Sequence, residues 1–105
     1  MPAVRGEGRF IRVSCCGCYG HVILLLQVQQ GDIPFQFLWE VPEEVIPAIY
    51  EQAIREGIMK ELAEARITTS LQIQIIGGSF HEVDANERSY RIAAQLAIKE
   101  ALQQL

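Results

Sequence analysis

The sequence predicts an α+β domain in which two helices cover one face of a four-stranded sheet. Three segments with strand character come before the first helical pattern, and a fourth separates that pattern from a second one. Half-buried strands alternate apolar and polar residues, whereas amphipathic helices repeat apolar residues every three or four positions. The expected order is therefore β-β-β-α-β-α in a two-layer sandwich.

Four segments alternate or concentrate apolar residues as strands do. Residues 9–14 (RFIRVS) and 22–29 (VILLLQVQ) should form a hairpin, and residues 35–40 (FQFLWE) alternate large apolar with polar side chains. Residues 70–76 (SLQIQII) should form the fourth strand, which is expected to end at the glycine pair 77–78. These segments predict the sheet.

Two apolar stripes at helical spacing predict the helices. The first begins at Val41 and has Pro42 or Pro47 in its first turn, where a missing amide is tolerated. The second follows the loop GGSFHEVD, with Asp84 as its N-cap and Glu87 three residues later. The residues expected to face the core are Val45, Ile46, Ile49, Ala53, Ile54, Gly57, Ile58 and Leu62 in the first helix and Tyr90, Ile92, Ala93, Leu96, Ala97, Ala101 and Leu102 in the second.

The length of 105 residues and the 50% apolar content predict one globular domain over residues 1–105, with residues 1–7 flexible. The longest apolar run, VILLLQV, is too short to span a bilayer, and the N-terminus lacks the apolar core of a secretion signal. These features predict a cytoplasmic protein with no membrane partner. The start at Met1 favours a natural N-terminus, and the end within the last helix fits a natural protein as well as a fragment.

The net charge of −4 gives no long-range attraction toward nucleic acid, so any RNA contact would have to be local. The sequence contains no phosphate-binding loop of the Gly-Lys-Ser type, no Gly-x-Ser-x-Gly and no His-Glu-x-x-His. We therefore expect neither nucleotide binding nor enzymatic activity.

The three cysteines of the chain lie together in the segment SCCGCYGHV, residues 14–22. One interpretation is a zinc site built from Cys15, Cys16 and Cys18 with His81 as a fourth ligand, although structural zinc sites usually separate paired cysteines by two or more residues. A second is a reactive thiol, which needs a nearby cation that the sequence does not show beside the loop. The third is a small-residue loop with reduced thiols and no cofactor. An odd number of cysteines excludes a simple disulfide framework.

The end of the chain, GGSFHEVDANERSYRIAAQLAIKEAL, resembles the C-terminal half of domain IV of bacterial elongation factor G. GEGRFIRVS and YGHV resemble the first hairpin of that domain, and VPEEVIPAIYEQAIREGI resembles its first helix with one residue inserted. The resemblance covers nearly the whole chain in the family's order. It implies the fold of the second domain of ribosomal protein S5, with a left-handed crossover where the general rule would give a right-handed one.

The resemblance implies a non-catalytic protein of translation that engages the ribosome, both rRNA and tRNA, through the tip of an arm. His81 matches the family's tip-loop histidine, and the hairpin loop lies at the same tip, where the family typically has Ser-Gly-Gly-Arg-Gly-Gln-Tyr-Gly. This loop has lost that arginine, which weakens the case for a phosphate contact, and the 105 residues themselves include no GTPase domain. The implied contact residues are Cys15, Cys16, Gly17, Cys18, Tyr19, Ser79, Phe80 and His81. The alternative is a small metal-binding or thiol-reactive protein, and a relative without ribosomal contact is a third possibility.

Two further expectations concern the sheet. Ile23 and Leu25 should lie on the face opposite the helices, beside Ile76, and this apolar patch predicts a homodimer. His21 is expected to be a hydrogen-bonded structural histidine at the start of a strand.

Overall fold

The computed structural model describes residues 3–12, 17–30 and 35–105. Its helices and strands follow the predicted order, with one additional 3₁₀ turn before the first helix. The elements are β1 (Val4–Arg12), β2 (Cys18–Val28), β3 (Gln36–Trp39), the 3₁₀ turn (Ala48–Tyr50), α1 (Glu51–Glu64), β4 (Leu71–Ser79) and α2 (Glu87–Leu102). No helix in these ranges is long and apolar enough to cross a membrane.

The four strands form one sheet in the order β1-β2-β4-β3. β2 is antiparallel to both β1 and β4, whereas β3 runs parallel to β4 at the opposite edge from β1. The register between β2 and β4 shifts between Ile23 and Leu24, which pair with Gly77 and Ile75, so Ile76 is an extra residue on β4. Such a bulge bends the strand locally and increases its twist. The left-handed crossover stays a prediction.

A single core lies between the sheet and the two helices. Alternate residues of β2 and β4 point into it and are 0–2% exposed, as the period-2 pattern predicts. Side chains of α1 and α2 close the core from the other side. The largest fully buried apolar side chains are Val22, Leu24, Leu26, Ile46, Ile54, Ile58, Leu71, Ile73, Ile75, Tyr90 and Ile98.

Helix α2 lies directly on the backbone of β1. A Cβ built at Gly8 would be 1.9 Å from the carbonyl oxygen of Ala93 and 2.6 Å from the amide nitrogen of Ala97. Only a residue without a side chain permits this approach, and the alanines of α2 keep the helix side of the contact small. The close packing fixes the first turn of α2 beside the C-terminal end of β1.

The first helix begins later than predicted, at Glu51 instead of Val41. Pro47 lacks an amide hydrogen and its ring would clash with a carbonyl in the preceding turn, so a helix from Val41 cannot continue through it. The chain instead makes a turn in which the Val45 amide donates to the Pro42 carbonyl, 2.9 Å away. Ile49, expected in the core, is 73% exposed because it lies in the 3₁₀ turn outside the helical register.

The second helix is capped by Asn86 and not by Asp84. The Ser89 amide donates to Asn86 Oδ1 at 2.8 Å, while a turn in which the Ala85 amide donates to the His81 carbonyl delays the helix start. The predicted inward set is correct for Tyr90, Ala93, Ala97 and Ala101. It is wrong for Leu96, which is 41% exposed, and Ile92 and Leu102 are only half-buried. Positions 89, 94 and 98, which are three or four residues from the correct set, are buried in their place.

Three strands are longer than predicted, and the earlier start of β2, at Cys18, affects both of its neighbours. β1 begins at Val4, which pairs with Leu26, so Val4–Glu7 are part of the sheet within the stretch 1–7 that was expected to be flexible. β4 continues through the glycine pair to Ser79, because the early start of β2 supplies partners such as His21 for Ser79. Gly78 has a φ of 147°, a conformation that side chains disfavour.

Candidate functional site

The end of β1, the start of β2, the end of β4 and the start of α2 meet at one end of the molecule. We call this end the tip and define it by residues 10–12, 17–21 and 79–88. A parallel bridge between Tyr19 and Ala85 joins the hairpin to the β4–α2 loop. The fold therefore brings the described parts of the two predicted contact loops together, whereas Cys15 and Cys16 lie outside the described residues.

A chain of hydrogen bonds ties three strands together beneath the tip. Ser79 Oγ lies 2.6 Å from Tyr19 Oη and 2.7 Å from His21 Nδ1, and His21 Nε2 lies 2.5 Å from Glu7 Oε2. A neutral His21 that donates from Nε2 and accepts from the serine hydroxyl satisfies every bond. His21 is 8% exposed, which confirms the expected structural histidine.

Glu7 is the charged end of this network. The hydrogen bond from His21 and the Arg9 guanidinium, 3.2 Å away, hold the pKa of Glu7 below its ordinary value, against the opposing effect of burial. Arg5 approaches the other carboxylate oxygen at 3.3 Å. The carboxylate is therefore ionised at neutral pH and keeps the His21 ring in place.

His81 lies in the β4–α2 loop with half of its side chain exposed. Its Nδ1 accepts the Asp84 amide at 3.2 Å, which leaves the proton of the neutral ring on Nε2. The ring centroid lies 5.6 Å from that of Tyr19, whose hydroxyl is held by Ser79. The arrangement presents a pre-positioned imidazole at the tip.

An aromatic stack supports the same loop from below. Tyr50 and Tyr90 are stacked with ring centroids 4.6 Å apart, and Phe80 packs 6.1 Å from Tyr50. The Tyr90 hydroxyl donates to the Ser79 carbonyl at 2.6 Å, and burial raises the pKa of Tyr90. Tyr90 was expected in the core, but the sequence did not indicate Tyr50 because it precedes α1 and lies outside that helix's stripe.

Two arginines at the tip were missed in the sequence. The Cζ atoms of Arg12 and Arg88 lie 4.5 Å and 5.7 Å from the centroid of one ring, that of Phe10. Arg12 pairs across the hairpin with Cys18, so a basic residue lies opposite one end of the cysteine segment. The available signal was the spacing of Phe10 and Arg12, two residues apart on one strand face.

The remaining predicted sites are placed only in part. Cys18 is half-buried at the start of β2, and no group of three or more potential metal ligands occurs in residues 3–12, 17–30 and 35–105. Because Cys15 and Cys16 lie outside those ranges, the zinc site stays a prediction.

Ile23 and Leu25 are half-buried on the outer sheet face, and Ile76 at the bulge is 37% exposed. Self-association through them also stays a prediction.

Comparison with known proteins agrees with this architecture. The family model for elongation factor G, domain IV, matches residues 2–104. This chain belongs to the elongation factor G domain IV family. Elongation factor G of Fervidobacterium nodosum is 35% identical over 106 residues, which cover 95% of this chain and 15% of that protein. The chain thus spans about 15% of the length of this curated relative.

Solved structures show the same fold. A crystal structure from Thermus thermophilus aligns with a TM-score of 0.86 at 28% identity and covers 99% of this chain and 16% of its own. Mevalonate kinase from methicillin-resistant Staphylococcus aureus aligns with a TM-score of 0.50 at 12% identity, covering 95% of this chain and 40% of the kinase, a likeness of fold alone. The predicted family and fold class are confirmed, and domain IV membership supports a translation-factor-like role.

Proposed function

We propose that this domain IV protein engages the ribosome through its tip, without catalysis, in the cytoplasm. The observation that carries the proposal is the convergence of the hairpin and the β4–α2 loop, which presents the half-exposed His81 ring against Tyr19. Recognition of unpaired RNA relies on imidazole and aromatic side chains that stack on bases or hydrogen-bond to them. Tyr19, Phe80 and the Nε2–H donor of His81 supply these groups at one end of the domain.

Hydrogen bonds hold the side chains of the tip in fixed positions, which favours RNA binding. Ser79 bonds to Tyr19 and His21, Tyr90 bonds to the Ser79 carbonyl, and Asn86 caps α2 beside them. Side chains that are already fixed lose less conformational entropy when a partner binds. In this proposal Ser79 positions the contact residues, and His81, Phe80 and Tyr19 touch the RNA together with the hairpin loop residues Cys15 to Cys18.

The serine-histidine-carboxylate series does not favour a hydrolase. Ser79, His21 and Glu7 are linked in the order that activates a nucleophile, but the Ser79 hydroxyl is also held by Tyr19 and His21 is 8% exposed. A general base must reach its substrate proton directly or through one water. The series is better explained as the structural support of the tip.

Ribosome co-sedimentation tests the proposal. His81→Ala should weaken binding by about 5- to 150-fold, the loss expected when one stacking aromatic group is removed. Met59→Ala is the matched control, because Met59 is an exposed side chain on α1, 44% accessible and outside the tip. Equal binding by the wild type and His81→Ala, or no sedimentation of the wild type with ribosomes, would contradict the proposal.

A further inference from the structure

We propose that Arg12 and Arg88, held on the Phe10 ring, form a two-arginine site for the phosphodiester backbone of RNA at the β1 edge of the tip. The site rests on the proposed function. It assigns phosphate binding to a surface that lies outside the two contact loops. The site does not depend on the arginine that the hairpin loop has lost, because its two cations come from the end of β1 and from the first turn of α2.

The two guanidinium groups lie close together on one ring. The two guanidinium carbons lie 4.5 Å and 5.7 Å from the same ring centroid, so their separation cannot exceed the sum of these distances. That is about one Debye length at 0.1 M salt, roughly 10 Å, so the two charges act together on adjacent phosphates of one strand. Phe10 is half-buried and packs against the core, which fixes the platform that both side chains use. A guanidinium over a ring face keeps its N–H edge available for bidentate phosphate contacts.

Among the described residues, four other basic side chains form ion pairs with carboxylates. Arg5 and Arg9 both pair with the single carboxylate of Glu7, Arg91 pairs with Glu56 and Lys99 pairs with Glu61. Within the described part of the chain, neither Arg12 nor Arg88 forms an ion pair, and the one hydrogen bond of Arg12 is to the Ile11 carbonyl. The Asp84 carboxylate lies against Gly17 and near His81, and Glu87 forms no ion pair with the arginines. Two unneutralised cations therefore meet in a chain whose net charge is −4.

Arg88 occupies an electrostatically unfavourable position in α2. It is the second residue of α2, where the positive end of the helix dipole disfavours a cation. The stable choice for that position is an acidic or neutral side chain. The sequence instead adds Arg88 to the positive helix end and to Arg12, which concentrates positive potential at one place. Such an arrangement opposes local stability and favours an anionic ligand.

Fluorescence anisotropy with a labelled single-stranded RNA oligonucleotide over a salt series tests the site. Each phosphate contact to single-stranded nucleic acid contributes about 0.7 to the slope of log K against log salt. The double variant Arg12→Gln/Arg88→Gln should therefore lose about 1.4 of the slope. Arg55→Gln is the matched control, since Arg55 is a helix arginine whose Cζ lies 5.3 Å from the Phe37 ring, beside β3 at the opposite edge of the sheet. Its slope should equal that of the wild type.

Several results would overturn the site: no RNA binding at low salt, an unchanged slope in the double variant, or an equal loss in Arg55→Gln. Displacement of RNA by polyglutamate as readily as by unlabelled RNA would also overturn it, because any polyanion would then suffice. The failures are distinguishable. Ribosome binding that needs His81 but not the arginines removes the phosphate site alone, whereas an arginine-dependent RNA slope without ribosome binding removes the proposed function alone. Urea unfolding of each variant checks that the fold is intact.

Discussion

Replacing Gly8 with alanine should push α2 off the sheet. The new Cβ would lie 1.9 Å from the Ala93 carbonyl oxygen and 2.6 Å from the Ala97 amide nitrogen. Even a close carbon–oxygen contact needs about 3.3 Å, so the helix must move by more than about 1 Å. Both obstructing atoms are backbone, and no side-chain rotation can relieve the clash. Overpacking in cores costs about 1–3 kcal/mol, and moving a whole helix places the expected loss at about 3 kcal/mol or more.

Gly77→Ala is the matched control on the same sheet. A Cβ at Gly77 would lie 3.6 Å from Ile23 Cδ1, an ordinary contact, and alanine in a strand is favoured over glycine. This variant should be neutral or more stable by up to about 1 kcal/mol. Urea unfolding followed by circular dichroism gives both free energies. A Gly8→Ala protein within about 0.5 kcal/mol of wild type, or equal losses in the two variants, would refute the close approach of α2 to β1.

Four other outcomes are expected. Ser89→Ala should raise the free energy of unfolding by about 1 kcal/mol, and with it the urea midpoint, because the fully buried Ser89 hydroxyl has no hydrogen-bond partner among the described residues. A lower midpoint would show that it has one. Asn86→Ala should lower thermal stability by about 0.5–2 kcal/mol through loss of the α2 cap, whereas Asp84→Ala should not. The pKa of Glu7 in the folded protein lies below the ordinary 4.5, so ionised Glu7 stabilises the fold above that pH, and this stabilisation is lost as the pH falls through the folded pKa. The urea midpoint of Glu7→Gln should therefore change less with acid pH than that of the wild type. An unchanged pH dependence would contradict this. Native mass spectrometry of protein purified without chelators should give the mass of the chain without zinc, and bound metal would favour the cysteine-site alternative. The same spectrum tests the predicted homodimer, and a monomer at high concentration would contradict it.

The fold was predictable because its strands and helices have different apolar periods. Leu24 and Ile73 alternate with polar or outward residues, whereas Ile54 and Ile58 repeat at helical spacing, and each pattern requires only local sequence. The bounds were less predictable. Pro47 stops a helix that the apolar stripe alone would start earlier, and Asn86 replaces Asp84 as a cap because a turn at His81 shifts the start of α2.

The candidate site was predictable only where family resemblance pointed to it. His81 could be singled out from its loop, but its contact with Tyr19 depends on a strand pairing that brings together residues 62 positions apart. Arg12 and Arg88 are further apart still, and no local pattern shows that both reach the Phe10 ring. Contacts of this kind follow from tertiary packing, which a single sequence does not display.

In the proposed function the tip, and no other end of the domain, contacts ribosomal RNA. Photo-crosslinking tests it directly, with benzoylphenylalanine placed at Val83, 83% exposed in the tip loop, or at Leu105, 59% exposed beyond the opposite end of α2. After irradiation with ribosomes, RNA attached to the protein is quantified for each variant. The account predicts RNA crosslinks from position 83 and few or none from position 105. Equal crosslinking from both positions, or crosslinking from position 105 alone, would contradict it.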